Sequence, residues 1–428
     1  MKTTPSLKQA VLGVIADDFT GATDVAGMLV QAGMDTLLTI GVPEVGAAVD
    51  ADAVVVALKS RTVAPAEAVR DSLAALDRLR AAGCRRYYFK VCSTFDSTPR
   101  GNIGPVAQAL MAALNADFAI ACPAFPENGR SVYCGHLFVG DLLLSDSGMK
   151  HHPLTPMTDA NLVRWLQAQT ALQVGLLRRD AVAAGVDAVA SRIAALRTAN
   201  VRIAIADAID NADLRTLGAA CADLPLLIAG SGLALGLPAA YVARGWMLPD
   251  AQAAPLPAVG GHAAVLSGSC STASNAQVAH WLQSGRPALP IDALQLAAGA
   301  PVAAQALAWA EARLAQGPVL VYATAGADAV KAAQQQLGVE RAGALIEDCL
   351  AEIATGLHER GVRRLVVAGG ETSGAVVQAL RVQRLRVGAP IDPGVPWTQA
   401  EGRPLLLALK SGNFGSIDFF AKALASVQ

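Results

Sequence analysis

Aromatic residues make up only 4% of this 428-residue chain, and charged residues only 16%. So few rings argue against an aromatic-cored β-sandwich and favour Ala-, Leu-, Val- and Gly-rich helices on aliphatic parallel strands. No run of like charge occurs, and 34 Lys and Arg against 35 Asp and Glu give a formal net charge of -1. A nucleic-acid groove draws its affinity from cations clustered along phosphates, so nucleic acid is excluded as a partner. A small anionic ligand, which needs only a few local donors, is not.

Other absences narrow the chemistry. The cysteines (Cys84, Cys92, Cys122, Cys134, Cys221, Cys270 and Cys349) are odd in number and never spaced C-x-x-C. That excludes a disulfide framework and a zinc knuckle and favours the cytoplasm. The first apolar run is short and ends in Asp17 and Asp18, so no signal peptide is expected. No H-E-x-x-H or similar spacing exists, so His136, His151 and His152 make no metal site, and the adjacent pair His151-His152, before Pro153, reads as surface or lid. Walker A and the protein-kinase signatures are missing. Leu224 to Val242 is long and uncharged, but Pro225, Gly230, Gly232, Gly236 and Pro238 interrupt it. It reads as a buried strand, a turn and a helix start, and no membrane is expected as a partner.

What is present is core and rhythm. Hydrophobic residues reach 53%, enough to exclude disorder, and the length suits two large domains. Short apolar runs recur, each followed by a Gly/Ser/Thr/Asp-rich turn and a helical pattern, which is the βα signature of a doubly wound α/β protein. Strands are expected at Val11–Ala16, Ala53–Leu58, Arg86–Val91, Phe118–Cys122, Val201–Ala206 and Leu226–Ala229, then at Ala263–Leu266, Val319–Ala323, Arg364–Ala368 and Leu405–Leu409. Helices are expected at Ala66–Ala82, Asp159–Gln169 and Gly343–Arg360. The aperiodic, Pro/Gly/Ala-rich segment 251–262 reads as a linker between domains 1–250 and 263–428. Each domain should carry a mostly parallel sheet flanked by helices, with a ligand cleft between them.

In open α/β sheets, ligands bind beyond the carboxyl ends of the strands. The first strand ends in D-D-F-T-G-A-T-D (17–24), the second in Lys59-Ser60-Arg61-Thr62, and the third carries Lys90 and runs into S-T-F-D-S-T-P-R-G-N-I-G (93–104). Ser60, Arg61, Lys90, Ser93, Thr94 and Arg100 are donors suited to a small carboxylated ligand, and Arg matches carboxylates with a planar fork. Asp17, Asp18 and Asp96 can accept hydroxyl protons. Together they point to a sugar acid, although any one cluster could merely cap a helix. In the second half, L-S-G-S-C-S, G-G-E-T-S-G and L-K-S-G-N-F-G each follow a strand. Glycines that admit close approach, with N–H groups at helix starts, suggest a nucleotide. The turn A-G-S-G-L-A-L-G (229–236) hints at a dinucleotide, but its glycine spacing is off and close packing explains it better.

These motifs, with C-P-A-F-P-E-N-G-R-S-V-Y, occur in the order found in the four-carbon acid sugar kinases, and the chain resembles that family over nearly its whole length. S-T-F-D-S-T, H-P-L-T-P-M-T-D and P-G-V-P-W look most like the 3-oxo-tetronate 4-kinases, with threonate and erythronate kinases as near neighbours. The resemblance implies an N-terminal domain for the acid sugar and a C-terminal domain for ATP. ATP contacts would fall on Ser267, on Gly369, Gly370, Glu371, Thr372 and Ser373, and on Gly412. Mg²⁺ would bridge the nucleotide phosphates with few protein ligands. In the expected mechanism Arg61 grips the substrate carboxylate, Asp17 takes the C4 proton and Asp18 orients the loop or a water, although the family pattern leaves the two aspartates interchangeable. A non-catalytic sugar-acid and nucleotide sensor and a nicotinamide-dependent dehydrogenase are the rival classes. Whether the chain forms a homo-oligomer stays open.

Overall fold

The computed structural model describes residues 9–44, 49–152, 154–248 and 255–427, without the side chains of 327–329. The chain divides into two compact units, Met1–Ala254 and Pro255–Gln428. Of the expected linker, residues 251–254 lie outside the described residues, and 255–260 carry no regular structure.

The strands of the first unit are β1 (Leu12–Ala16), β2 (Thr36–Ile40), β3 (Ala53–Ala57), β4 (Arg86–Lys90), β5 (Ala119–Cys122), β6 (Arg130–Tyr133), β7 (His136–Val139), β8 (Leu142–Leu143), β9 (Val174–Leu177), β10 (Ile203–Ala206) and β11 (Leu226–Ala229). Among the described residues its main sheet runs β2-β3-β1-β4-β11-β5-β10-β9, and every pair is parallel. Helices cover both faces of such a sheet, so its central strands are buried on both faces rather than alternating, and even β4, R-Y-Y-F-K, is buried in four of its five residues. All five residues of β1 and of β3 are buried. β6, β7 and β8 form a separate antiparallel sheet. This small sheet, β2 and β9 lie outside the expected strand set.

The second unit contains β12 (His262–Ser267), β13 (Ala288–Pro290), β14 (Val319–Tyr322), β15 (Val362–Ala368), β16 (Arg384–Asp392), β17 (Val395–Ala400) and β18 (Leu406–Lys410). They lie in the order β13-β14-β12-β15-β18-β17-β16. Four pairs are parallel, whereas β16–β17 and β17–β18 are antiparallel. Val265, Trp281, Val366, Trp397, Phe419 and Phe420 share one core cluster on this sheet. The uncharged stretch at 224–242 forms β11, a 3₁₀ turn at Ser231–Gly236 and a short helix at Leu237–Ala243. Among the described residues no helix is long and apolar enough to cross a membrane.

Strand order fixes where ligands can sit. From β1 the chain turns toward β2, and from β4 it crosses toward β5, so the first unit's connections diverge between β1 and β4. In the second unit the divergence falls between β12, which leads to β13, and β15, which leads to β16. A crevice opens at the carboxyl ends of two such strands.

Candidate functional site

At the first crevice the backbone itself draws the polar turns together. The Asp17 N–H donates to the Lys90 carbonyl (3.1 Å), and the Ser60 and Arg61 N–H groups donate to the Asp17 carbonyl (2.9 and 3.2 Å). Asp17 is only 4% exposed. Its carboxylate receives both arms of the Arg61 fork, Nε and Nη2, at 2.9 Å each. Arg61 Nη2 also reaches Asp18 Oδ1 at 2.8 Å, and Nη1 stands 3.8 Å from Asp96. The guanidinium is thus the hub of three carboxylates.

Asp18 has a second task. It caps the helix Phe19–Gln31, accepting from the Gly21 N–H (2.9 Å) and the Thr20 hydroxyl (2.8 Å). The adjacent aspartates therefore titrate in opposite directions. Burial pushes the Asp17 carboxyl above its ordinary range, and Arg61 offsets this only partly. Burial also acts upward on Asp18, but Arg61, Lys90, Thr20 and Gly21 together hold that carboxyl below its ordinary range. Two carboxyl groups driven apart by their surroundings are the usual sign of divided acid–base roles. Lys90 is buried, and its ammonium donates to the Val91 carbonyl at 2.8 Å. The Thr94 hydroxyl donates to Asp96 at 2.6 Å.

Not every expected residue joins this cluster. Arg100 is exposed, and its backbone N–H donates to the Thr98 hydroxyl (3.2 Å). Ser93 is half-buried, and Ser60 is buried with its carbonyl taken by Asn102. Asn102 was not singled out in the sequence, though it stands in the R-G-N-I-G motif. Its side-chain amide donates to the carbonyls of Ser60 (2.8 Å), Arg61 (3.3 Å) and Val63 (2.8 Å), pinning the turn that delivers Arg61. Removing it takes the donor from the buried Ser60 carbonyl and the half-buried Arg61 and Val63 carbonyls. Asn102→Ala should lower stability by about 1–3 kcal/mol in urea unfolding. KM for the acceptor should rise, while KM for the nucleotide stays nearly constant.

Asp24, at the end of the 17–24 motif, also escaped selection. It is buried, accepts from the Ser231 hydroxyl at 2.5 Å and leaves Oδ1 without a partner. Burial raises its pKa to about 6, against which Lys90 and Ser231 act downward. Between 3.8 and about 6 the native state holds a proton that the unfolded chain releases, so stability falls as pH rises through that window. Asp24→Asn should flatten this fall and raise Tm near neutrality, as thermal unfolding across pH would show.

At the second crevice β12 and β15 end side by side, with Ser267 paired to Ala368 and Ala368 paired to Lys410. The Gly268 and Ser269 N–H groups donate to the Ala368 carbonyl (3.0 and 3.2 Å), and Gly369 N–H donates to Lys410 (2.9 Å). Gly369 has φ +127° and precedes the helix Gly370–Ala379, whose start carries no side-chain cap. The Ser373 N–H closes its first turn onto the Gly369 carbonyl at 2.8 Å, and such a helix start favours an anionic ligand. Thr372 and Ser373 are buried in the first turn, and the Ser373 hydroxyl has no partner among the described residues, whereas Gly370 and Glu371 are exposed. Opposite, Ser271 caps the helix Thr272–Gln283. A Cβ on Gly412 would stand 2.3 Å from Ser269 Oγ and 3.0 Å from Ser271 Oγ. The Ser267 hydroxyl is fully buried against Thr324 (2.6 Å), so it shapes the floor of this cradle.

One unit thus offers carboxylates and cations, the other backbone amides and hydroxyls. Residues 12–237 match a sugar-binding N-terminal domain, and residues 264–420 match a nucleotide-binding C-terminal domain. The chain belongs to the four-carbon acid sugar kinase family, whose members are ATP-dependent enzymes. It is 64% identical over 427 residues to the 3-oxo-tetronate kinase of Pseudomonas fluorescens, covering 99% of each chain. It is 63% identical over 418 residues to that of Cupriavidus necator, covering 97% of this chain and 96% of the relative. A crystal structure of a Haemophilus influenzae protein superposes with a TM-score of 0.81 at 44% identity, over 97% of this chain and 100% of the other.

Proposed function

We propose that the chain transfers the terminal phosphoryl group of ATP to the C4 hydroxyl of 3-oxo-tetronate, giving ADP and the 4-phosphate. The relatives' names give this substrate. The observation that carries the chemistry is the buried Asp17 carboxylate at the end of β1, held by the Arg61 fork, beside Asp18, which is spent on the helix cap.

In this reading Asp17 is the general base. Each of its oxygens accepts one bond from Arg61 and keeps a lone pair for the incoming hydroxyl. Asp18 stays ionised as the helix cap and holds Arg61 in place. Lys90 and Arg61 set the positive field for the substrate carboxylate, and Ser60, Ser93, Thr94 and Asp96 serve its hydroxyl and keto oxygens. Arg100, on the exposed turn, draws the anion in. ATP lies along Ser267, Gly369 to Ser373 and Gly412, its phosphates at the start of the Gly370–Ala379 helix. Phosphoryl transfer asks the protein mainly for alignment and charge neutralisation.

Mg²⁺ enters as part of the nucleotide substrate, held by the phosphates. Among the described residues no group of three or more His, Cys, Asp or Glu could hold a metal ion, and no step is assigned to the ion. The cytoplasm is the compartment in which this ATP-dependent step belongs.

The test is a coupled ADP-release assay over four-carbon acids, oxidised and reduced at C3. The oxidised acids should give the highest kcat/KM. Faster turnover of threonate or erythronate would move the chain to those kinases.

A further inference from the structure

Lys410 is fully buried at the end of β18, beneath the Gly412 turn. Its Nζ faces three neutral oxygens: Ser274 Oγ at 3.2 Å and the carbonyls of Ser411 and Gly412 at 3.0 Å each. The Ser274 hydroxyl in turn donates to the same Gly412 carbonyl at 3.0 Å. Among the described residues it makes no ion pair with a carboxylate. The elements around it bring few titratable groups. β17 has none, β15 has Arg363 and Arg364 near its opposite end, the helix Thr272–Gln283 has His280 in its last turn, the helix Gly370–Ala379 has Glu371, and Asp418 follows the turn and accepts from the Ser416 hydroxyl.

A buried cation without a counter-ion is costly, and proteins seldom keep one that nothing neutralises. The mechanism above does not use Lys410. Yet the turn it pins carries Gly412, one of the positions along which the nucleotide is assigned, and stands against Ser269 and Ser271. We propose that Lys410 is a positioning residue that holds its charge in reserve for the bound polyphosphate, acting through the 411–412 turn, and that nucleotide binding draws a proton onto it. The inference rests on the nucleotide occupying this cradle. Burial alone lowers the Lys410 pKa to about 7, so the free protein carries the group largely neutral above that pH. Polyphosphate placed above the turn favours the ammonium, and linkage then requires proton uptake on binding.

The experiment is calorimetry on the full chain at pH 8, in two buffers of different ionisation enthalpy, titrated with ATP or with adenosine. ATP is already deprotonated at this pH. The wild-type protein should take up about half a proton or more with ATP and none with adenosine. Lys410→Met should weaken ATP binding at least about tenfold and adenosine binding less than about threefold. Uptake near zero, or ATP affinity in the variant within about threefold of wild type, overturns the inference. If circular dichroism shows Lys410→Met unfolded, the wild-type proton count decides alone. Unchanged ATP binding in Gly369→Val, or none in the wild type, refutes the cradle assignment itself and this inference with it.

Discussion

Asp17→Asn should lower kcat by about 10²–10⁴-fold while the protein folds normally, because the amide keeps the shape of the carboxylate but cannot take the C4 proton. The Arg61 fork loses its ionic partner at that position, yet Asp18 and Asp96 remain within its reach at 2.8 and 3.8 Å. Steady-state assays with saturating acid and ATP measure this directly. A fall of less than about tenfold would show that Asp17 is not the base. The pH profile supplies a second reading. Asp17 must be ionised to accept a proton, and its carboxyl is raised, so kcat/KM should fall on the acid side at a pH above the ordinary aspartate range. Asp18→Asn should leave that limb in place and cost rate through the loosened Phe19–Gln31 cap.

Gly369→Val should be the most damaging change in the second unit. Its φ of +127° lies where β-branched residues are strained, and a Cβ there would stand 2.8 Å from Thr372 Oγ1. The first turn of the Gly370–Ala379 helix would tilt, carrying its backbone N–H groups with it. An ATP affinity loss of about 10²-fold is expected from strain and lost donors combined. Binding of the acid sugar to the other unit, followed calorimetrically without nucleotide, should change little. Equal loss of both ligands would point to general unfolding instead.

The central strands were legible because they are short, aliphatic and followed by polar turns. β1, β3, β4 and β11 appear within a residue of their expected ends. β2 and β9 were not, since the threonines of T-L-L-T-I and the glycine of V-G-L-L interrupt the apolar run that marks the other strands. The residues at the strand ends were visible as types, but their partners were not. Arg61 reads as a donor waiting for a substrate, and only the fold shows it forked onto Asp17. Asn102 and Asp24 sat inside the quoted motifs unnoticed, because an amide that caps three carbonyls and a carboxyl that meets Ser231 across 207 positions leave no local pattern. The antiparallel β16–β17 edge follows a similar logic: its pairing depends on a tight turn at Pro393–Gly394, and Pro390 and Pro396 within the strands disguise it.

The position of β11 bears on how the first unit comes into being. This strand is the last of its sheet to be synthesised, yet it lies between β4 and β5, pairing Leu226 with Tyr87 and Leu227 with Ile120. A nascent chain that has passed β10 therefore holds two open strand edges with no neighbour to cover them. Such edges invite pairing with other chains. A fragment ending near Ala206 should aggregate rather than form a smaller domain, and prolonged stalling of the ribosome before Leu226 should increase the demand for chaperones.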